Sequence, residues 1–269
     1  MTGADIPVSV TMRFSYLGFS GWQGAASGNS DSLFDTRRLE ARFHLFERIA
    51  LASLAAQTDP GFHLHVLTSE SLPGWALDRL RETSAAALGP ARVTVDARPQ
   101  GRVRKFHRIF LQQRYGETRI AQVVLDDDDG LAADFVEILR GRIQLAVGEG
   151  RLAGPADVHF LTFPAGYALV HAGAAAGLYR HRYKFINLGL TMIGPPGRSI
   201  HATLHQVDPE RFGYTVWDSR PMFVRSVHDF NDSRVAVTPR WRRVPDCRAE
   251  RGFRERFGYL GDLAGIAAG

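Results

Sequence analysis

The chain has 269 residues, 45% of them hydrophobic, one cysteine (Cys247) and a formal charge of +5. That much apolar content suits one large α/β domain or two small ones and excludes wholesale disorder. The lone cysteine excludes an internal disulfide or a multi-cysteine metal site, which fits a reducing, cytosolic setting. No apolar run is long enough to span a bilayer, and Met1 to Pro7 show neither part of a secretory signal. A cytoplasmic protein is expected, with peripheral contact at the inner face of a membrane left open.

Val8 to Phe19 read as a first strand, and Ser20 to Ser32, rich in Gly, Ser and Asn, as a loop. From about Asp35 to Gln57, Leu39, Phe43, Phe46, Ile49, Ala50 and Leu54 recur at helical spacing, with Asp35 or Thr36 able to cap the helix. Thr58-Asp59-Pro60-Gly61 ends it. Phe62 to Thr68 form a second strand, Pro73 to Leu88 a second helix, Arg92 to Ala97 a third strand and Val103 to Arg114 a third helix. Ile120 to Leu125 form a fourth strand. This alternation predicts a parallel sheet whose ligands sit beyond the carboxyl ends of the strands.

That edge carries Asp126-Asp127-Asp128-Asp129. Four adjacent carboxylates repel one another and resist desolvation, so a shared cation is the natural partner, and hard divalent ions take carboxylate oxygens together with phosphates. Strand alternation puts Asp126 and Asp128 on one side and Asp127 and Asp129 on the other, so one alternate pair is expected to handle a metal–diphosphate. A helix is expected from Leu131 towards Val147, with Asp129 available as its N-cap.

Beyond this point the alternation stops. Val158 to Phe163 and Tyr167 to His171 read as a hairpin around Pro164-Ala165-Gly166, Phe185 to Ile193 as a strand, Ser199 to Val207 as a helix and Phe223 to Val227 as a late strand. The last thirty residues mix short amphipathic pieces with an Ala/Gly tail. Neither repeats nor a linker divide the chain. One domain is expected, with a nucleotide-sugar half (about 8–149), an acceptor-facing half (about 150–240) and a tail (241–269). Basic residues gather at Arg102-Arg104-Lys105-Arg108, Arg180-His181-Arg182-Lys184 and Arg240-Arg242-Arg243. No nucleic-acid-binding pattern accompanies them; solvated surface is their ordinary explanation, and phosphate or phospholipid contact the alternative.

Leu54 to Phe62 resemble the "SL..QT...F" junction of GT-A glycosyltransferases, and Leu125 to Val136 resemble their "DxDD…dF" segment. Over roughly residues 12–235 the chain is similar to a bacterial rhamnosyltransferase family, through Arg13-Phe14, Gln57-Thr58-Asp59, Leu125 to Asp129, Pro221-Met222-Phe223 and His228 to Asn231. Asp229 departs from the glycine common after that histidine. The resemblance implies a GT-A-like, Rossmann-related mixed sheet flanked by helices. It further implies transfer of a sugar, rhamnose for instance, from a nucleotide-sugar donor to a glycan or lipid-linked acceptor. Asp128 would then bind the metal directly, Asp126 would contact ribose or a metal-bound water, and His228 would complete the shell. Imidazole favours Mn²⁺ over Mg²⁺.

Arg13, Phe14, Thr68, Lys105, Arg108 and Asp127 are candidate nucleotide contacts. Asp218 is the candidate general base, with Asp208 and Glu210 as rivals; Trp217 and Asn231 are candidate acceptor contacts. Two other functions compete: a metal-dependent phosphohydrolase, and a non-catalytic anion-binding module.

Overall fold

The computed structural model describes residues 6–18, 30–154, 157–171, 173, 175–228, 238, 241–250 and 252–261. Residues 20–29 of the expected glycine-rich loop, Asp229, Asn231, Arg240 and the final Ala/Gly stretch lie outside the described residues.

The first half follows the expected order. β1 (Val8–Arg13) is followed by α1 (Ser30–Leu33), α2 (Thr36–Leu45), a π-helical stretch (Phe46–Leu51) and α3 (Ala52–Ala55). The capping choice falls to Asp35, whose side chain accepts from the Arg38 amide at 3.0 Å. Then come β2 (Phe62–Ser69), α4 (Gly74–Leu88), β3 (Val93–Arg98), α5 (Val103–Tyr115) and β4 (Ile120–Val124). β1 to β4 lie parallel in the order β4-β1-β2-β3.

β4 leads through the aspartates into a two-residue strand, β5 (Gly130–Leu131), and then α6 (Phe135–Gly148). The helix therefore begins four residues later than the pattern suggested. Its N-cap is Asp134 rather than Asp129, because Gly130 and Leu131 are held as strand by β11 (Phe223–Val227). Gly130 has no room for a side chain: a Cβ there would meet the Tyr259 hydroxyl at 2.5 Å and the Ile49 side chain at 3.2 Å.

The second half departs more. β6 (His159–Thr162) and β7 (Ala165–Val170) do not form a hairpin; they enter different sheets. Gly166 marks close approach rather than a turn, since a Cβ there would strike the Phe223 ring at 2.4 Å. β8 (Gly177–Arg182) pairs with β7 and was not foreseen. The strand expected over 185–193 is confined to β9 (Thr191–Gly194), and the helix expected over 199–207 is a single 3-10 turn, Ile200–Ala202, followed by α7 (Asp208–Phe212). β10 (Tyr214–Val216) and β11 come next, then β12 (Arg242–Arg243) and α8 (Phe253–Phe257).

The result is a mixed seven-stranded sheet, β10-β6-β9-β4-β1-β2-β3, and a five-stranded sheet, β12-β8-β7-β11-β5. On one face of the large sheet, Val8, Val10, Met12 and Val123 pack with Leu39, Phe43, Leu80 and Leu139 of α2, α4 and α6. The other face carries α5 through Leu67, Val103 and Phe106. The end of the chain is more than a tail: Phe253, Phe257 and Leu260 are buried against Leu45, Ile49 and Tyr167.

Candidate active site

The aspartates lie past the end of β4 in a turn closed by the Asp129 amide donating to the Asp126 carbonyl at 3.3 Å. Strand alternation therefore does not govern them, and each carboxylate has its own partner. Arg13, the last residue of β1, places Nη2 3.6 Å from Asp126 Oδ1. Arg42 of α2 grips Asp127 with Nε at 2.6 Å and Nη2 at 3.2 Å. Asp128 Oδ2 lies 2.8 Å from His228 Nε2. Asp129 Oδ1 accepts from the Ser226 amide at 2.7 Å and is buried, serving β11 rather than a helix cap.

Exposure divides these roles. The side chains of Asp126 and Asp128 are 29% and 13% accessible, against 3% for Asp127, so the first two are the ones a ligand can reach. Burial raises the pKa of Asp126, with Arg13 opposing, and pushes Asp127 up to about 6 despite Arg42. Burial also pushes Asp129 well up, helped by the charges of Asp128 and Asp126. At Asp128 burial acts in the same sense, but the hydrogen bond and charge of His228 outweigh it and hold the carboxyl below its ordinary value. Asp128 is thus the member of the cluster whose anionic form its surroundings favour, which suits a cation ligand.

The junction Gln57-Thr58-Asp59 holds this turn in place. The Gln57 amide nitrogen donates to the Ser53 and Ala132 carbonyls, each at 2.9 Å, and its oxygen accepts from the Val136 amide at 3.0 Å. The Thr58 amide donates to the Ala133 carbonyl at 2.8 Å, and Asp59 pairs with Arg140 of α6 at 2.6 Å. The end of α3 is thereby tied to the chain just past the aspartates. Asp134 is held by Arg256, which also donates to the Pro221 carbonyl.

Several sequence candidates have other duties. Phe14 is fully buried, its ring 4.7 Å from Phe43 and 5.4 Å from Phe46, so it is core and not a nucleotide contact. Thr68 is also fully buried, its hydroxyl donating to the Phe14 carbonyl at 2.8 Å. Lys105 and Arg108 line a cleft beside α5 with Arg198 and Arg211. Trp217 packs on Phe163 at 6.0 Å, with the Arg142 and Arg220 guanidiniums over its ring. Asp218 is ion-paired with Arg182. It lies at the same carboxyl edge as the aspartates, since β10, β6 and β4 run the same way. Three strand spacings, roughly 14 Å, separate those two strand ends.

Sequence reasoning missed Arg42, Ser226 and Arg225, whose charge lowers the pKa of both Asp126 and Asp129. It also missed His171, whose ring lies 5.8 Å from that of His228. Arg42 is one basic residue among several in its helix, and Ser226 acts through backbone register, so neither leaves a motif.

A sheet with helices on both faces and a carboxylate cluster at its carboxyl edge defines an α/β fold of the kind whose ligands sit beyond the carboxyl ends of the strands. The sequence model of the family described as "Putative rhamnosyl transferase" matches residues 8–240. The chain belongs to that family. No curated protein sequence matches it. Solved structures similar to it include S. aureus TarS, at 11% identity and a TM-score of 0.40, over 82% of this chain and 37% of that one. Another is the glycosyltransferase GlyE of Streptococcus pneumoniae TIGR4, at 12% identity and 0.35, over 98% of this chain and 63% of GlyE. The chain thus spans less than two thirds of either protein.

Proposed function

We propose that the chain moves a deoxyhexose such as rhamnose from a nucleotide-sugar donor to a glycan or lipid-linked acceptor, using a divalent cation, Mn²⁺ or Mg²⁺, held by Asp128 and His228. The observation that carries this reading is the 2.8 Å contact between those two side chains, beside the partly exposed Asp126. Among the described residues no set of three His, Cys, Asp or Glu groups is arranged to hold a metal. Two protein ligands suit an ion that takes its other ligands from water and substrate phosphates, as Mg²⁺ does in phosphate-handling enzymes. Bound there, the cation would neutralise the departing diphosphate.

The chain's own residues supply the rest. Asp126, 3.6 Å from Arg13, would accept a hydrogen bond from a ribose hydroxyl. Asp218, fixed by Arg182 on the acceptor-facing half, is the carboxylate assigned to take the acceptor proton. A phosphohydrolase would call for further imidazoles at strand ends. His171, just past β7 and with its ring 5.8 Å from that of His228, is one such imidazole; His63, His65 and His107 instead occupy the interior, with His65 and Phe110 stacked at 3.8 Å.

The test is transfer from a panel of UDP-, dTDP- and GDP-linked hexoses and deoxyhexoses, with and without Mn²⁺ or Mg²⁺. Release of nucleoside diphosphate that depends on both metal and Asp128 supports the reading. Release that is unaffected by chelation or by Asp128→Ala contradicts it.

A further inference from the structure

A cleft of about 550 Å³ opens between the start of α5 and residues 197–212. Arg102, Arg104, Lys105 and Arg108 line one wall, and Arg198 and Arg211 the other. None of the six is ion-paired with a carboxylate among the described residues. Other arginines are paired with carboxylates, as Arg79 is with Glu40 and Glu47, Arg98 with Asp96 and Arg140 with Asp59. Arg92 and Arg119 take backbone carbonyls instead, and what sets the cleft apart is six cations on its two walls. The carboxylate that does line the cleft, Asp208, accepts from the Leu204 amide at 2.8 Å and sets one negative charge against six positive ones. Crowded like charges repel, and an anion entering the cleft relieves them.

A second observation falls on the same stretch. Leu204 is 67% exposed, Val207 56%, Val216 40% and Phe212 37%. The other exposed large apolar residues, Trp75, Leu145 and Tyr183, are scattered along the described chain. Leu204 and Val207 close a tight turn, the Val207 and Asp208 amides both donating to the Leu204 carbonyl. Thr203 and Asp208, on either side of that turn, line the cleft, so the turn forms its rim. The guanidiniums of Arg198 and Arg211 lie over the Phe212 ring at 5.4 and 5.3 Å.

We propose that this face docks on an anionic phospholipid bilayer. Leu204, Val207 and Phe212 enter the boundary between headgroups and acyl chains, and the cleft arginines hold lipid phosphates. Apolar tips beside unneutralised cations match the two layers of such a surface. A soluble polyanion would match the arginines but leave the apolar rim wet. His201, just before the turn, bonds the Thr11 hydroxyl of β1 at 2.9 Å, two residues from the Arg13 that faces Asp126, so docking brings the bilayer towards the acidic turn. Only the presentation of a lipid-linked acceptor there rests on the sugar-transfer reading; docking itself does not.

The test is co-sedimentation of the full chain with phosphatidylcholine vesicles, with and without phosphatidylglycerol, in the absence of donor and metal. Its failure would leave sugar transfer to a soluble acceptor unaffected. Binding should require phosphatidylglycerol and weaken with salt. The exposed triple change R104E/R198E/R211E should lower partitioning roughly 100-fold, and L204S/V207S roughly tenfold, with melting temperatures near that of the parent chain. Absence of binding, equal binding to phosphatidylcholine alone, or binding that survives both sets of changes would overturn the proposal. So would binding of inorganic pyrophosphate that phosphatidylglycerol vesicles cannot compete away.

Discussion

His228 Nε2 lies 2.8 Å from Asp128 Oδ2, joining two residues 100 positions apart in the chain. The contact depends on β11 pairing with β5, which lays Ser226 along the acidic turn and carries His228 to its open side. The candidate metal ligands thus come from both sheets. His228→Ala should leave the fold intact, because the imidazole lies at the end of β11. It should lower transfer by roughly 100-fold, through loss of one of the two side chains proposed to hold the cation. Steady-state kinetics at saturating donor, alongside circular dichroism, check both points.

Arg42 neutralises a carboxylate that is almost wholly buried. Arg42→Ala leaves Asp127 without its bidentate partner, which should cost about 3–5 kcal/mol. Adding Asp127→Asn should return part of that loss, because the remaining buried group is then neutral. Urea unfolding of the two single variants and the double variant measures the coupling.

Gln57 makes three hydrogen bonds between α3 and the chain that follows the aspartates. Gln57→Leu keeps the bulk but removes all three bonds, leaving the buried Val136 amide without its acceptor while the Ala132 carbonyl keeps the Phe135 amide at 2.9 Å. A loss of about 2–4 kcal/mol is expected, lowering the melting temperature by roughly 5–15 °C for a chain of this size. Activity should fall further than stability, since the aspartate turn loses its tether.

Seven histidines (His63, His65, His107, His159, His181, His201 and His205) have their pKa lowered, chiefly by burial. His63, His159 and His181 fall to about 4. Below pH 6.5 the unfolded chain takes up protons that the folded chain refuses, so stability is lost as pH falls from about 6.5 towards 4. Asp126, Asp127 and Asp129, with raised pKa, act in the opposite sense, but seven imidazoles outnumber three carboxylates. Each uncompensated proton contributes about 1.4 kcal/mol per pH unit. Thermal melts across that range should show falling stability; a flat profile would show that these imidazoles titrate normally.

The parallel half of the fold was legible because βα alternation, capping and proline placement are local signals. Asp35, Pro73 and the hydrophobic spacing of α2 and α5 needed no tertiary context. The second half was not legible, because its strands are selected by pairing partners far along the chain. β7 and β8 zip together, Gly166 admits Phe223, and β5 exists through its pairing with β11. The acidic motif marked the site, but the assignment of each carboxylate depended on partners from α2, β1 and β11. Phe14 and Thr68 show the reverse case: one sits in a matched motif and the other at the end of a foreseen strand, and both side chains are buried.

The central claim is that the turn at Asp126–Asp129 binds a cation together with a nucleoside diphosphate. Thermal shift with UDP, dTDP and GDP, each with and without Mn²⁺, tests it most directly. At least one nucleotide should raise the melting temperature only when Mn²⁺ is present, and Asp128→Ala should abolish that rise while keeping a cooperative melt. No shift with any of the three, or a shift that persists in Asp128→Ala, would contradict the assignment.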